Sequence, residues 1–145
     1  MSPVEQLKAS GLRTTKPRVA VLAALQNSGH LTAEDVRERV LDQIDSVSVQ
    51  AVYDVLQTLT DHNVIRKLQL VGSPAYYEIQ NGDNHHHLVC SKCGQIADIE
   101  CPVGEIPCIT IPKNGHGFEV LAAEVTWRGI CPACIAKSPK QKGEK

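Results

Sequence analysis

The chain has few aromatic residues: of its 145 residues, one is Phe, one is Trp and three are Tyr. Because hydrophobic residues still make up 42% of the sequence, any core must consist mainly of aliphatic side chains. No apolar run approaches the roughly 18 residues of a membrane span, so we expect no membrane partner. The formal net charge of −1 gives no bulk attraction to nucleic acid, so nucleic-acid binding would depend on where the charges lie.

A secretory leader is not visible in the first residues. The segment Met1 to Glu5 has no basic region followed by an apolar stretch. Six cysteines in such a chain indicate a reducing compartment, where C-x-x-C pairs bind metal more often than they form disulfides. We therefore expect a cytoplasmic protein.

Three helix starts can be predicted in the first part of the chain. Pro17 suits the first turn of one helix. Thr32 is expected to cap the next, with Asp35 three residues further on. Ser48 is expected to cap a third helix that runs to about Thr60.

The pattern then changes from helical to alternating. Residues 64–70 and 75–79 are β-rich and joined by Gly72-Ser73-Pro74, which predicts a hairpin. Helices followed by a two-stranded ribbon are typical of a winged helix-turn-helix. Further strands are predicted over 86–90, 95–99 and 118–127, and the Lys-rich tail 137–145 is expected to be disordered. The fold class is therefore α+β.

Two C-x-x-C pairs give the strongest chemical signal. Cys90, Cys93, Cys131 and Cys134 supply four thiolates, which would close a tetrahedral zinc site with a structural role. Removing the metal should unfold this part of the chain, because binding energy in such sites is folding energy. Cys101 and Cys108 remain outside the pairs, either as a reactive thiol pair or as reduced cysteines without a role.

The three consecutive histidines predict a second site. On a strand, alternate side chains share a face, so His85 and His87 point one way while His86 and Cys90 point the other. His87 and Cys90 therefore should not serve the same metal. Glu78 and Asp98 could add oxygen ligands, and a mixed imidazole and carboxylate set suits Fe(II), Mn(II), Zn(II) or Ni(II).

Several segments in register resemble the ferric uptake regulator (Fur) family of metal-dependent repressors over nearly the whole chain. They are GLRTTKPR at 11–18, HLTAED at 30–35, SVQAVY at 48–53 and HHHLVC at 85–90, continuing through Cys93-Gly94. The resemblance implies a winged-helix DNA-binding domain over 1–79, a hinge over 80–84, and a small α/β dimerisation and metal-binding domain over 85–136. It further implies a homodimer on a palindromic, AT-rich duplex operator, and a regulator instead of an enzyme.

By the same resemblance, five residues would hold the regulatory metal, Fe(II) or Mn(II). They are His30, Glu78, His85, His87 and Asp98. Because His30 lies in the DNA-binding part, the metal would join the two domains. This metal would select the arrangement in which the dimer binds DNA.

Asp98 is similar to the residue found in peroxide-sensing PerR-type members, and residues 98–105 look most like the actinobacterial FurA/CatR repressors of catalase-peroxidase genes. In such sensors the Fe(II) site reacts with hydrogen peroxide, and His30 and His85 would be the oxidised ligands. Glu78 departs from the Asp that many peroxide sensors have, and Ala122-Ala123 stand where a third metal site needs a histidine. His86, Glu105 and His116 could rebuild that site. The alternative is a zinc- or nickel-responsive uptake regulator of the same family.

The helix from Ser48 is the expected DNA-reading element. Its predicted DNA-binding residues are Ser48 at its start and Gln50, Tyr53 and Gln57 on its exposed face. It has no Lys or Arg, so phosphate contacts must come from elsewhere. Those candidates are Arg13, Lys16, Arg18, Arg66 and Lys67.

Two functions from other classes stay open on the residues alone. A hydrolytic metal site is disfavoured because no H-E-x-x-H motif occurs and five protein ligands leave little room for substrate and water. A zinc-ribbon interaction module would leave the N-terminal helices unexplained.

Overall fold

The computed structural model of the chain divides into two compact units, Met1–Asn81 and Gly82–Lys145. The structure describes residues 1–70, 72–82, 85–100, 115–119 and 124–138, apart from the side chain of His85. Several predictions lie outside these residues. They concern Cys101, Cys108, Glu105, Ala122, Ala123, hinge residues 83–84 and tail residues 139–145.

Four helices form most of the first unit. They are α1 (Pro3–Ala9), α2 (Lys16–Gln26), α3 (Ala33–Leu41) and α4 (Val49–Asp61). The predicted caps are confirmed: Thr32 and Asp35 form a reciprocal capping box at α3, and the Ser48 hydroxyl accepts from the Ala51 N–H at α4. The helix with Pro17 in its first turn is also confirmed, with Thr15 as its cap.

The core of the first unit is aliphatic, as the composition predicts. Its largest fully buried side chains are Leu7, Leu22, Leu25, Leu56, Leu59, Ile65, Val21, Val36, Val40 and Val52. They come from all four helices and from the first ribbon strand, so one cluster joins these elements.

A three-stranded antiparallel sheet completes the first unit. Its strands are β1 (Leu31–Thr32), β2 (Ile65–Leu68) and β3 (Tyr76–Ile79), in the order β1-β3-β2. The β2–β3 ribbon confirms the predicted hairpin, although each strand is shorter than predicted. Strand β1 was not predicted from the sequence. It adds a third strand to the ribbon and makes β3 the central one.

The described part of the second unit is a mixed sheet followed by a short helix. Its elements are β4 (His85–Cys90), β5 (Ile96–Glu100), β6 (Thr126–Gly129) and α5 (Pro132–Lys137). Strand β4 is central, antiparallel to β5 and parallel to β6. The prediction of a strand from Phe118 to Trp127 was wrong at its start, because Phe118 follows a turn at His116-Gly117 and β6 begins at Thr126. Helix α5 was missed. The predicted disordered tail was wrong at its start, because Lys137 belongs to α5 and Ser138 is the C-cap of that helix.

Little apolar surface is buried in the described part of the second unit. Its buried side chains there are those of His86, His87, Val89 and Cys90. Two of the four are imidazoles and one is a thiol, which are metal-binding groups as well as packing groups. Among the described residues, no helix has the length and apolar character to cross a membrane.

Candidate metal centres and DNA-reading helix

The four cysteines of the C-x-x-C pairs come together in the second unit. The Sγ atoms of Cys90, Cys93, Cys131 and Cys134 all lie within 4.8 Å of one another. The Cys93 and Cys131 sulfurs are 3.6 Å apart. A tetrahedral zinc with Zn–S bonds of about 2.3 Å requires sulfurs about 3.8 Å apart, so the observed cluster fits this ion.

Local structure explains why these four residues meet. Cys90 ends β4, and the following turn is closed by the Gly94 N–H, which donates to the Cys90 carbonyl at 2.9 Å. Gly94 has φ +77°, a backbone conformation that glycine adopts without strain. Cys131 follows β6 and is the N-cap of α5. Since β4 and β6 are parallel and adjacent, both cysteine pairs lie at the same edge of the sheet.

Hydrogen bonds within this cluster stabilise the thiolate form of Cys90. The Cys131 N–H donates to Cys90 Sγ at 3.3 Å. Donation from Cys131 and Cys93 lowers the pKa of the Cys90 thiol to about 6. Hydrogen bonding with the Cys131 thiol, followed by burial and the remaining sulfurs, raises the pKa of Cys134 to about 12. Four thiolates this close therefore need a bound cation to compensate their charge.

The first imidazole–carboxylate pair lies on the sheet of the first unit. Strands β1 and β3 pair Leu31 with Tyr77, and one further step of this register places His30 opposite Glu78. His30 Nε2 lies 2.7 Å from Glu78 Oε2, and the Glu78 side chain is only 6% exposed. The sequence gives no local signal for this pairing, because a two-residue strand has no periodicity to detect.

Arg66 approaches the same carboxylate from the other neighbouring strand. The β2–β3 register pairs Arg66 with Glu78, and Arg66 Nη1 lies 3.5 Å from Glu78 Oε1. Its Nη2 donates to Gln80 Oε1 at 3.0 Å. In this structure the Arg66 guanidinium is directed to Glu78 and Gln80, and its predicted contact with DNA phosphate stays a prediction. Its neighbour Lys67 is exposed.

The second imidazole–carboxylate pair lies on the sheet of the second unit. The β4–β5 register pairs His87 with Asp98, and His87 Nε2 lies 3.6 Å from Asp98 Oδ1. His87 is buried, whereas Asp98 is more than half exposed. The backbone of His85 pairs with Glu100 on the same two strands.

His87 and the Cys90 thiol lie on opposite faces of the sheet because of the alternation of side chains along β4. The strand runs unbroken from His85 to Cys90, so the alternation used to predict two sites applies. His86 lies on the other face from His87 and makes an edge-to-face contact with Trp127, with ring centroids 5.8 Å apart. His116 lies in a turn with φ +49°, and Glu105 lies outside the described residues, so the structure assembles no third site from the parts it describes.

The exposed face of α4 carries the residues predicted to read DNA. Tyr53 is 48% exposed, and Gln50 and Gln57 are exposed beside it. The Gln50 amide donates to Asp54 at 2.9 Å, and the Gln57 amide donates to Asp61 at 2.7 Å. An ionised carboxylate only accepts, so each amide must direct its nitrogen to the carboxylate and keep its oxygen for another donor.

The predicted phosphate contacts before α4 are partly engaged with the protein. Lys16 is exposed in the first turn of α2. The Arg18 guanidinium donates to the Arg13 carbonyl at 3.0 Å, which fixes the segment leading into the helix. Ser48 is occupied as the cap of α4, so its hydroxyl has a structural role in this state.

Comparison with known proteins gives a family match. The model of the ferric uptake regulator family matches residues 9–127. The transcriptional regulator FurA of Mycobacterium tuberculosis is 49% identical over 130 residues, covering 90% of this chain and 88% of that protein. Ferric uptake regulation protein 1 of Mycolicibacterium fortuitum is 45% identical over 121 residues, covering 83% and 74%.

Solved structures show the same fold. The Helicobacter pylori ferric uptake regulator Fur gives a TM-score of 0.68 at 22% identity, covering 94% of this chain and 90% of that chain. The Campylobacter jejuni peroxide stress regulator also gives 0.68, at 24% identity, covering 92% and 100%. The predicted α+β fold, with an N-terminal winged helix-turn-helix and a four-cysteine cluster, is confirmed.

Proposed function

The chain belongs to the ferric uptake regulator family of transcriptional regulators, and from this premise we propose that it is a metal-dependent, peroxide-responsive repressor. It would act as a homodimer on a palindromic, AT-rich duplex operator, in the reducing cytoplasm where its cysteines stay available to metal. The structural cation would be Zn(II), bound by Cys90, Cys93, Cys131 and Cys134. The regulatory cation would be Fe(II) or Mn(II).

The observation that carries this proposal is the occurrence of one imidazole–carboxylate pair in each unit. His30 and Glu78 are adjacent in the first, and His87 and Asp98 are adjacent in the second. Imidazole and carboxylate donors suit Fe(II) and Mn(II) better than the neighbouring thiolates do. We propose that one cation takes ligands from both pairs and from His85.

Such a shared cation would link the metal to DNA binding. Residues of the first unit include the exposed face of α4, whereas the second unit would supply the dimer contacts. A cation that needs ligands from both units favours only those arrangements that supply them. A coupling of about 1–3 kcal/mol would raise operator affinity roughly 5- to 150-fold.

Histidine variants test whether the two pairs share one metal. Zinc-loaded protein is titrated with Mn(II), and the free ion is followed by its EPR signal. His30→Ala and His87→Ala should each abolish the same tight Mn(II) equivalent, because each removes a ligand of one site. His62→Ala is the matched control, since His62 is exposed at the end of α4 and its ring Nδ1 faces the Thr58 carbonyl at 2.9 Å. Retention of tight Mn(II) binding in either ligand variant would refute the shared site.

Operator binding requires a separate test. Selection from a random duplex pool with Mn(II)-loaded protein should enrich a palindromic, AT-rich sequence. The enriched duplex should lose affinity when Mn(II) is omitted and in the His30→Ala variant. Enrichment that is independent of metal would contradict a metal-dependent repressor.

The peroxide response is proposed from the ligand chemistry of His30 and His85. Bound Fe(II) would supply the redox chemistry that activates hydrogen peroxide. Adding one oxygen atom to an imidazole removes two electrons from the ring, and hydrogen peroxide accepts them as it is reduced to water. An oxidised ring is a poorer ligand, so the metal would dissociate and the repressor would leave DNA.

Peptide-mapped mass spectrometry separates this response from its alternative. Brief peroxide exposure of the Fe(II) protein should add the mass of one oxygen to the peptide containing His30 or His85, with parallel loss of DNA binding. The Mn(II) protein is the control and should stay unmodified. If the Fe(II) protein consumes peroxide without this gain and keeps its DNA, the zinc- or nickel-responsive uptake regulator becomes the better reading.

A further inference from the structure

The carboxylate of Glu78 lies between two cross-strand neighbours, and its two oxygens face different ones. Oε2 lies 2.7 Å from His30 Nε2, whereas Oε1 lies 3.5 Å from Arg66 Nη1. The side chains of Glu78 and Arg66 are 6% and 18% exposed, so solvent screens this ion pair only partly. In these two contacts the oxygens face different neighbours, and the contact of Oε1 with Arg66 is an ion pair.

Arg66 is held from a second direction. Its Nη2 donates to Gln80 Oε1 at 3.0 Å, while Nη1 faces Glu78. The guanidinium is planar and rigid, so contacts at two of its nitrogens fix its plane as well as its position. The backbone supports this arrangement, because Arg66 and Glu78 are paired residues of β2 and β3.

We propose that Arg66 is a positioning residue for the regulatory metal: it holds Oε1 of Glu78 and leaves Oε2 to bind the cation beside His30. This inference rests on the proposed function of Glu78 as a ligand. Partners that orient ligating groups typically contribute about 10- to 100-fold to metal affinity. Arg66 thus limits Glu78 to one coordinating oxygen.

Whether removal of Arg66 weakens or tightens metal binding distinguishes a positioning role from a purely electrostatic one. A positive guanidinium repels a divalent cation, so removing it would tighten metal binding if charge alone mattered. Loss of a positioning contact weakens binding instead. Lys67 provides the matched control, because it is the next residue on the same strand, has the same charge and is exposed.

The experiment measures Mn(II) affinity of full-length, zinc-loaded variants by EPR of the free ion, with a thermal melt of each metal-free variant to verify folding. Arg66→Gln should weaken Mn(II) binding about 10- to 100-fold. Arg66→Lys should recover only part of the affinity, because it restores the charge and not the planar fork. Lys67→Gln should bind as tightly as the unmodified chain or slightly more tightly. Unchanged or tighter binding by Arg66→Gln overturns the inference, and so does full recovery by Arg66→Lys.

A ligand variant separates this inference from the proposed function. If Glu78→Gln loses the tight Mn(II) site while Arg66→Gln keeps it, the positioning role is wrong and the ligand role of Glu78 stands. If Glu78→Gln binds Mn(II) like the unmodified chain, the proposed ligand set is wrong and the role of Arg66 falls with it.

Discussion

Removing the structural cation should unfold the second unit while the first unit stays folded. In the described part of the second unit, Val89 is the buried aliphatic side chain, and burying one such side chain contributes about 1.5–3 kcal/mol. Zinc sites of this type supply about 10–16 kcal/mol in small peptides. The metal would therefore dominate the stability of the part of this unit that the structure describes, whereas the aliphatic cluster of α1 to α4 stabilises the first unit without it.

Hydrogen exchange of the full chain, followed by mass spectrometry, measures both units in one experiment. Two amides report on the zinc edge: the Cys90 N–H donates to Gln95 and the Ser91 N–H donates to Gly129. Both should lose protection in Cys131→Ser and after chelation. Amides inside α2 and α4 should exchange as in the untreated protein.

A matched variant and two outcomes decide the result. Cys101→Ser removes a cysteine outside the C-x-x-C pairs and should keep both zinc content and protection. Protection of Cys90 and Ser91 that survives loss of zinc would refute the reasoning, because the sheet would then be stable without its cation. A loss of protection that extends equally to α2 and α4 would refute the independence of the two units.

Three further predictions concern the first unit. Tyr53→Ala should weaken operator binding by about 1–3 kcal/mol in fluorescence anisotropy. It should change the free energy of unfolding by no more than about 0.5 kcal/mol, because the side chain is 48% exposed. Unchanged operator affinity would exclude Tyr53 from the DNA interface. Lys16→Gln should lower affinity for all duplexes alike and reduce the slope of log K against log salt by about 1, and a sequence-dependent loss would contradict a phosphate contact. Leu56→Ala should lower the free energy of unfolding by about 2–5 kcal/mol in urea titrations, since Leu56 is fully buried, and a loss below about 1 kcal/mol would contradict its place in the core.

The parts of the molecule that the sequence predicted are those with local patterns. Thr32 and Ser48 could be predicted as caps because a hydroxyl three residues before a helical N–H is a local arrangement. The alternation of β4 separated His87 from Cys90 because side-chain direction on a strand has a period of two. The spacing of the cysteine pairs likewise predicted a cluster, since four thiols in two C-x-x-C pairs match a known ligand geometry.

The missed parts depend on register between distant strands or on elements too short to have a period. Strand β1 has two residues, so nothing local indicated that His30 lies opposite Glu78, and only the family resemblance joined them. The contact of Arg66 with Glu78 was also missed, because it depends on the register of β2 against β3. Helix α5 has six residues, fewer than two turns, and Pro132 at its start was the only available signal.

Strand β4 carries both kinds of proposed metal ligand on one continuous segment, with His87 and Cys90 three residues apart. Inserting one residue between His87 and Cys90 would leave the backbone able to pair but would turn one donor group to the opposite face of the sheet. Inserting two residues would return both donor groups to their original faces of the sheet but shift one of them along the strand by about 7 Å. The number of residues between His87 and Cys90 is therefore constrained, although their identity is not. An insertion there would separate the Cys90 thiol from Cys131 or the His87 imidazole from Asp98.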